Sequence, residues 1–204
     1  MSLNGISISP TNDNSPEYLV IILHGWGANA EDLAPLASYL SLPNYQFIFP
    51  NAPLPHPQVS GGLAWYSLET KEYQGLSESQ QQLKDWLLSL ENQTGVPLAK
   101  TILGGFSQGG AMSLDLGLNL PLAAIFSLSG YLHFQPQVPN FPIPPILMVH
   151  GTEDMVVPID VARQGKEMLT NIGAKVDYHE FNMGHEIPDN VLTILEEFIV
   201  KQQG

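Results

Sequence analysis

Residues 104–110 read GGFSQGG, four glycines around one serine, and the fold turns on how that stretch is read. It follows the apolar run KTILGGF (100–106) and leads into QGGAMSLDLGL (108–118), which has helical spacing. A strand turning sharply into a helix forces the serine between them into a strained backbone conformation and brings the strand end close to the helix start. Side chains two residues to either side of the serine would collide there, so glycine suits both position 105 and position 109. The Ser107 hydroxyl then projects above the carboxyl edge of a sheet, where open α/β sheets place their ligands. A phosphate-binding loop would need a lysine after the glycines and a dinucleotide fingerprint would need G-x-G-x-x-G, and neither spacing is present.

Outward from this turn, short apolar runs alternate with amphipathic ones. YLVIIL (18–23), YQFIF (45–49), AAIFSL (123–128) and PILMVH (145–150) read as strands, several apolar at nearly every position as parallel strands covered on both faces are. KVDYHEF (175–181) alternates more and belongs nearer an edge. Helices are expected at 31–40, at 77–93 behind a serine cap, at 159–171 and at 188–203, the last with proline in its first turn. The alternation implies right-handed crossovers and a mostly parallel, doubly wound sheet with helices on both faces. At 204 residues, 44% hydrophobic and without internal repeats, the chain is expected to form one domain over 1–204. The long irregular stretch 50–67 is a candidate for function.

Composition excludes several classes of activity. Without cysteine there is no disulfide, thiol catalysis or cysteine-ligated zinc. The formal charge is −13 and the seven basic residues are scattered, so neither nucleic acid nor an anionic membrane finds a footprint. The start of the chain has neither the basic residues nor the apolar run of a signal peptide, and no run is long enough to span a bilayer, so a cytoplasmic location without stable membrane association is expected.

A serine hydroxyl needs a base to take its proton. Of six histidines, His24 and His150 each end a strand before a glycine, positions that brace loops. His185 instead lies in NMGHEIPD, between the last strand and the last helix, at the same edge as Ser107. The loop HGTEDMVVP (150–158) leaves its strand at that edge and offers Glu153 and Asp154 as the acid. The chain order serine, acid, histidine is that of the α/β-hydrolases. Donors for a developing oxyanion are expected from the backbone N–H of Gln108, at the positive end of a helix, and of Trp26 in LHGWGANAED (23–32). The histidines lack the spacing of a metal motif, and no metal or other cofactor is required.

The stretches VIILHGWGANAEDL, FIFPNAP, GGLAWYSL, ILGGFSQGGAMSL, FSLSGYL, ILMVHGTEDMVVP and GHEI, in that order over residues 20–187, resemble the phospholipase/carboxylesterase family of α/β-hydrolases. The resemblance implies an α/β-hydrolase fold, here compact and without a large lid. It implies nucleophile Ser107, acid Asp154 and base His185, with oxyanion donors at Trp26 and Gln108, and it makes Glu153 a neighbour. The expected reaction is hydrolysis of a small-molecule carboxylic ester or thioester through an acyl-serine. Other enzymes on this scaffold, a cofactor-free haloperoxidase or an acyltransferase, and a non-catalytic binding protein are the alternatives. An apolar acyl pocket is expected from Trp65, Met155, Leu54, Leu132 and Met183, while the sequence leaves the oligomeric state open.

Overall fold

The apolar runs pair edge to edge in a computed structural model that describes residues 3–12, 14–70 and 72–203; the ends of the expected 1–204 domain, with Asp13 and Lys71, lie outside those residues. In chain order the strands are β1 (Gly5–Ile8), β2 (Tyr18–Leu23), β3 (Tyr45–Pro50), β4 (Leu54–Pro55), β5 (Leu63–Ala64), β6 (Thr101–Phe106), β7 (Ala124–Leu128), β8 (Ile146–Gly151) and β9 (Val176–Phe181). Seven of them form one sheet in the order β1-β3-β2-β6-β7-β8-β9, in which only β1 runs antiparallel. The central strands β6, β7 and β8 are buried along almost their whole length, as their unbroken apolar runs require. The more alternating β9 lies at the edge.

Among the described residues five α-helices cover the faces: α1 (Ala30–Leu33), α2 (Leu76–Thr94), α3 (Gln108–Gly117), α4 (Ile159–Asn171) and α5 (Asp189–Val200). Leu83, Leu87, Met112 and Leu169, from α2, α3 and α4, pack on one face against Ile21, Leu103 and Ile125. Leu33 of α1 and Val191, Leu195 and Phe198 of α5 pack on the other against Val20, Phe47 and Phe126. A sheet sandwiched this way exposes its loops chiefly at the two ends of the strands, which is why chemistry gathers at the carboxyl edge.

Two helix starts differ from the sequence reading. The segment expected as one helix over 31–40 is one turn of α-helix followed by a 3₁₀ stretch, Ala34–Tyr39, because Pro35 has no N–H to continue the ladder. Helix α2 begins at Leu76 behind Gly75 in a left-handed conformation (φ 89°), and no serine caps it. A Cβ at Gly75 would stand 2.7 Å from Leu54 Cδ1, so packing against the 50–67 stretch sets this boundary. The antiparallel strand β1 and the short β4–β5 ladder carried no sequence signal strong enough to be read.

The turn between β6 and α3 has the strain anticipated for it, with Ser107 at φ 54°, ψ −118°. A Cβ on Gly105 would lie 2.6 Å from the Leu23 carbonyl oxygen, and one on Gly109 would overlap that same carbonyl. The start of α3 therefore rests on the end of β2, a contact only glycine permits. Gly109→Ala should lower unfolding free energy by about 1–3 kcal/mol through overpacking. Urea denaturation monitored by circular dichroism measures this, and activity should fall with it because β2 carries the neighbouring loop.

Candidate active site

Four loops leave the carboxyl ends of β2, β6, β8 and β9 and meet around Ser107. Helix α3 starts immediately after the serine and directs its positive end at the hydroxyl's surroundings. The Ser107 N–H is occupied, donating to the Leu128 carbonyl at 2.8 Å, while its hydroxyl fills no capping role.

The loop after β2 lies against the serine. A Cβ on Gly25 would stand 3.3 Å from the Ser107 Cβ, so glycine here lets the chain pass the side chain closely. Gly27 donates to the Leu63 carbonyl and Leu63 N–H to that of Ala28, both at 2.9 Å, which ties this loop to β5. Beneath it, His24 is fully buried and accepts the Ala52 N–H on Nε2 at 3.0 Å, while Nδ1 donates to the Gly25 carbonyl at 2.8 Å. Asn51 Oδ1 accepts from Ala30 N–H at 2.8 Å, so residues just past β3 hold both ends of the loop. Among the described residues, neither the Trp26 nor the Gln108 backbone N–H has a backbone partner.

The Gln108 side chain is a site residue whose part the sequence did not reveal. Buried, it accepts from Trp65 N–H at 2.9 Å and donates to the Tyr66 carbonyl at 2.8 Å. Trp65 in turn donates from its indole to the His24 carbonyl at 3.0 Å. The 50–67 stretch is thus pinned to the helix start and to the β2 loop together. The available signal was a carboxamide next to the serine, at a position whose backbone N–H alone entered the sequence reading.

On the other side, His185 Nδ1 meets Asp154 Oδ2 at 2.7 Å. Asp154 Oδ1 accepts two backbone N–H groups, from Val156 and Val157, each at 2.8 Å. Burial alone would raise the Asp154 pKa, but the hydrogen bonds from His185, Val157 and Val156 outweigh it, and the carboxyl titrates below its usual range. The His185 ring packs on the Phe106 ring with centroids 4.7 Å apart, beside the serine. Gly151 allows the loops carrying Asp154 and His185 to touch, since a Cβ there would lie 2.5 Å from the Gly184 carbonyl oxygen. Glu153 turns its backbone N–H to the Met183 carbonyl at 3.1 Å. His179 pairs instead with Asp177 on exposed β9, and His133 with Asp115 of α3.

The acyl-pocket residues do not come together as expected. Trp65, its indole N–H spent on the His24 carbonyl, is fully buried beneath the β2 loop and so offers no surface to a ligand. Met183 is buried in the core on the α5 face. Leu132 is half-buried against the opposite layer, and Leu54 packs towards Gly75. Met155, next to Asp154, is 92% exposed and is the member of the set left open to solvent beside the site.

Residues 6–203 match the sequence profile of the phospholipase/carboxylesterase family. The chain belongs to that family. It is 31% identical over 201 residues to acyl-protein thioesterase 1 of Candida albicans, with 86% of each chain covered. It is 26% identical to lysophospholipase-like protein 1 of Mus musculus, covering 95% of this chain and 89% of that one. The crystal structure of esterase PE8 superposes with a TM-score of 0.90 at 30% identity, covering 98% of this chain and 99% of that one. The chain is accordingly a serine hydrolase of the carboxylesterase type on an α/β-hydrolase fold. Among the described residues no helix is long and apolar enough to cross a membrane.

Buried bases give this site an acid limit. Burial holds His24 and His150 below the ordinary histidine value of 6.5, partly offset by their bonds to the Gly25 and Val157 carbonyls. The unfolded chain takes up protons at 6.5 where the folded chain does not, so their contribution is full above about pH 6.5 and is lost as pH falls from there. Asp154 adds a loss of the same sign below its ordinary value of 3.8. Urea midpoints should therefore fall between pH 7 and 5.5, and His24→Asn should lessen the slope by up to about 1.4 kcal/mol per pH unit, one proton's worth.

Proposed function

We propose that Ser107 is the nucleophile, His185 the base and Asp154 the orienting acid of an acyl-serine mechanism on carboxylic esters and thioesters with apolar acyl groups. The Asp154–His185 hydrogen bond at 2.7 Å, beside the strained Ser107 turn, is the observation that carries this reading. With Nδ1 donating to the carboxylate, Nε2 is the free lone pair that accepts the serine proton as the hydroxyl attacks. The imidazolium then gives that proton to the leaving alcohol or thiol, and a water activated by the same nitrogen hydrolyses the ester. Asp154 keeps the tautomer and balances the transient positive charge.

The Trp26 and Gln108 N–H groups are the oxyanion donors in this reading. Their lack of backbone partners among the described residues supports it, since a donor already spent could not stabilise charge that develops only in the transition state. Gly25 and Gln108 are held from below by buried hydrogen bonds, which is the preorganisation such donors need. Thioester turnover is proposed alongside ester turnover because the relatives named above include an acyl-protein thioesterase. The leaving group's sulfur or oxygen faces the same proton donor in either case.

Ser107→Ala should abolish fluorophosphonate labelling and cut ester turnover by up to about a million-fold, the scale seen for other serine triads, with the circular dichroism spectrum kept. Asp154→Asn should cost about ten-thousand-fold, because the carboxamide favours the wrong imidazole tautomer, whereas Glu153→Gln should cost little. Retained turnover in folded Ser107→Ala, or the reverse ranking of the two acids, overturns the assignment.

Acyl preference tests the substrate class. Each methylene that finds apolar surface adds about 0.8 kcal/mol, close to fourfold in kcat/KM. With Trp65 and Met183 buried and Met155 left at the rim, efficiency should climb from acetyl and level off at short-to-medium chains. A series of p-nitrophenyl esters below their micelle concentrations measures it, and a flat profile or a preference for charged acyl groups refutes the apolar site.

A further inference from the structure

The acid loop contains a second imidazole that the mechanism above does not use. His150, near the end of β8, is 1% exposed. Its Nε2 lies 2.8 Å from the Val157 carbonyl oxygen, and since a carbonyl only accepts, that nitrogen carries the proton. The same nitrogen lies 3.5 Å from Asp154 Oδ2, the oxygen that His185 Nδ1 approaches at 2.7 Å.

Val157 is thereby held at both of its polar groups. Its N–H donates to Asp154 Oδ1 and its carbonyl accepts from His150. The turn from Gly151 to Val157 closes into a ring whose two fixed points are a histidine on a central strand and the carboxylate itself. We propose that His150 is a positioning residue: its Nε2–H clamps the Val157 carbonyl, and through the Val157 N–H on Oδ1 it fixes the carboxylate orientation that sets His185. The inference rests on the catalytic reading of Ser107, Asp154 and His185 given above.

The chemistry favours a neutral ring in this place. A cation so close to Asp154 would compete with the His185 imidazolium for the carboxylate when that charge develops. A neutral ring, its one Nε2–H spent on the Val157 carbonyl, leaves the negative charge of Asp154 available to His185. Burial favours that neutral form, against the attraction of Asp154 and of Glu180, its register partner on β9. Rotating the carboxylate away would also strand the Val156 and Val157 N–H groups, so the orientation is fixed by several bonds that hold or fail together.

Two substitutions and one spectrum test this. His150→Phe removes the donor at similar bulk and should lower kcat and kcat/KM together by about a hundred-fold, because misplacing the base weakens only the transition state. His150→Gln, whose terminal amide N–H reaches a similar distance, should recover most of that loss. In an Asp154→Asn background the further effect of His150→Phe should shrink to less than about threefold, since both changes act through one carboxylate. A full-sized loss in that background, no recovery with glutamine, or wild-type kcat in folded His150→Phe overturns the proposal. Should His150→Phe not fold, proton NMR of the wild-type enzyme decides the matter. A slowly exchanging Nε2–H on His150 is expected, and an Nδ1–H tautomer overturns the clamp. If Ser107→Ala is inactive while His150→Phe is fully active, only this inference fails. Activity in Ser107→Ala would instead remove the catalytic reading beneath it.

Discussion

The contact on which the site depends is between two backbones. The first turn of α3 rests on the last residue of β2, with Gly105 and Gly109 against the Leu23 carbonyl. Because no side chain stands between them, the serine turn and the loop after β2 begin at the same point in space. That juxtaposition places Gly25 against Ser107 and the Gln108 N–H at the head of a helix dipole. It also accounts for Ser107 at φ 54°, a conformation that a non-glycine residue keeps only when its surroundings hold it there.

Loops built this close to one another are held by buried polar struts rather than by their own apolar content. His24 and the Gln108 carboxamide each bridge two backbone groups, and His150 holds the Val157 carbonyl, all groups that burial would otherwise leave without water. Imidazole serves because, when neutral, one ring nitrogen donates and the other accepts, and His24 uses both. The same device makes the site sensitive to acid, since a protonated His24 would turn an N–H on the Ala52 N–H it now receives.

Besides the longer approach of His150 to Asp154, three histidine–aspartate pairs stand among the described residues, and their surroundings separate them. Asp177–His179 lies on the exposed outer strand, where water screens it. Asp115–His133 is enclosed by the rings of Tyr66, Tyr73 and Tyr131, and the Tyr66 and Tyr131 hydroxyls meet at 2.6 Å. It fastens the loop after β7 to α3. Asp154–His185 stands at the carboxyl edge beside the serine turn, so one chemical pair becomes the proposed base, a fastener or a surface contact according to what faces it.

Local physics in the sequence determined the strands, the strand–turn–helix around Ser107, and the gathering of a serine, an acid loop and His185 at one edge. Those features depend on short-range constraints: unbroken apolar runs, glycines two residues either side of the serine, and loops that follow strand ends. The resemblance selected Asp154 over Glu153, a choice that composition and order alone left open. Tertiary structure decided what depends on residues distant in the chain. Gly75 rather than a serine begins α2 because Leu54 packs against it. Trp65, read as a wall for the acyl group, is buried in the core, where its indole N–H finds the His24 carbonyl from 41 residues away. The clamp on Val157 arises only when β8 and its loop fold back together. Burial and hydrogen-bond partners of this kind belong to the folded chain as a whole, and no local pattern encodes them.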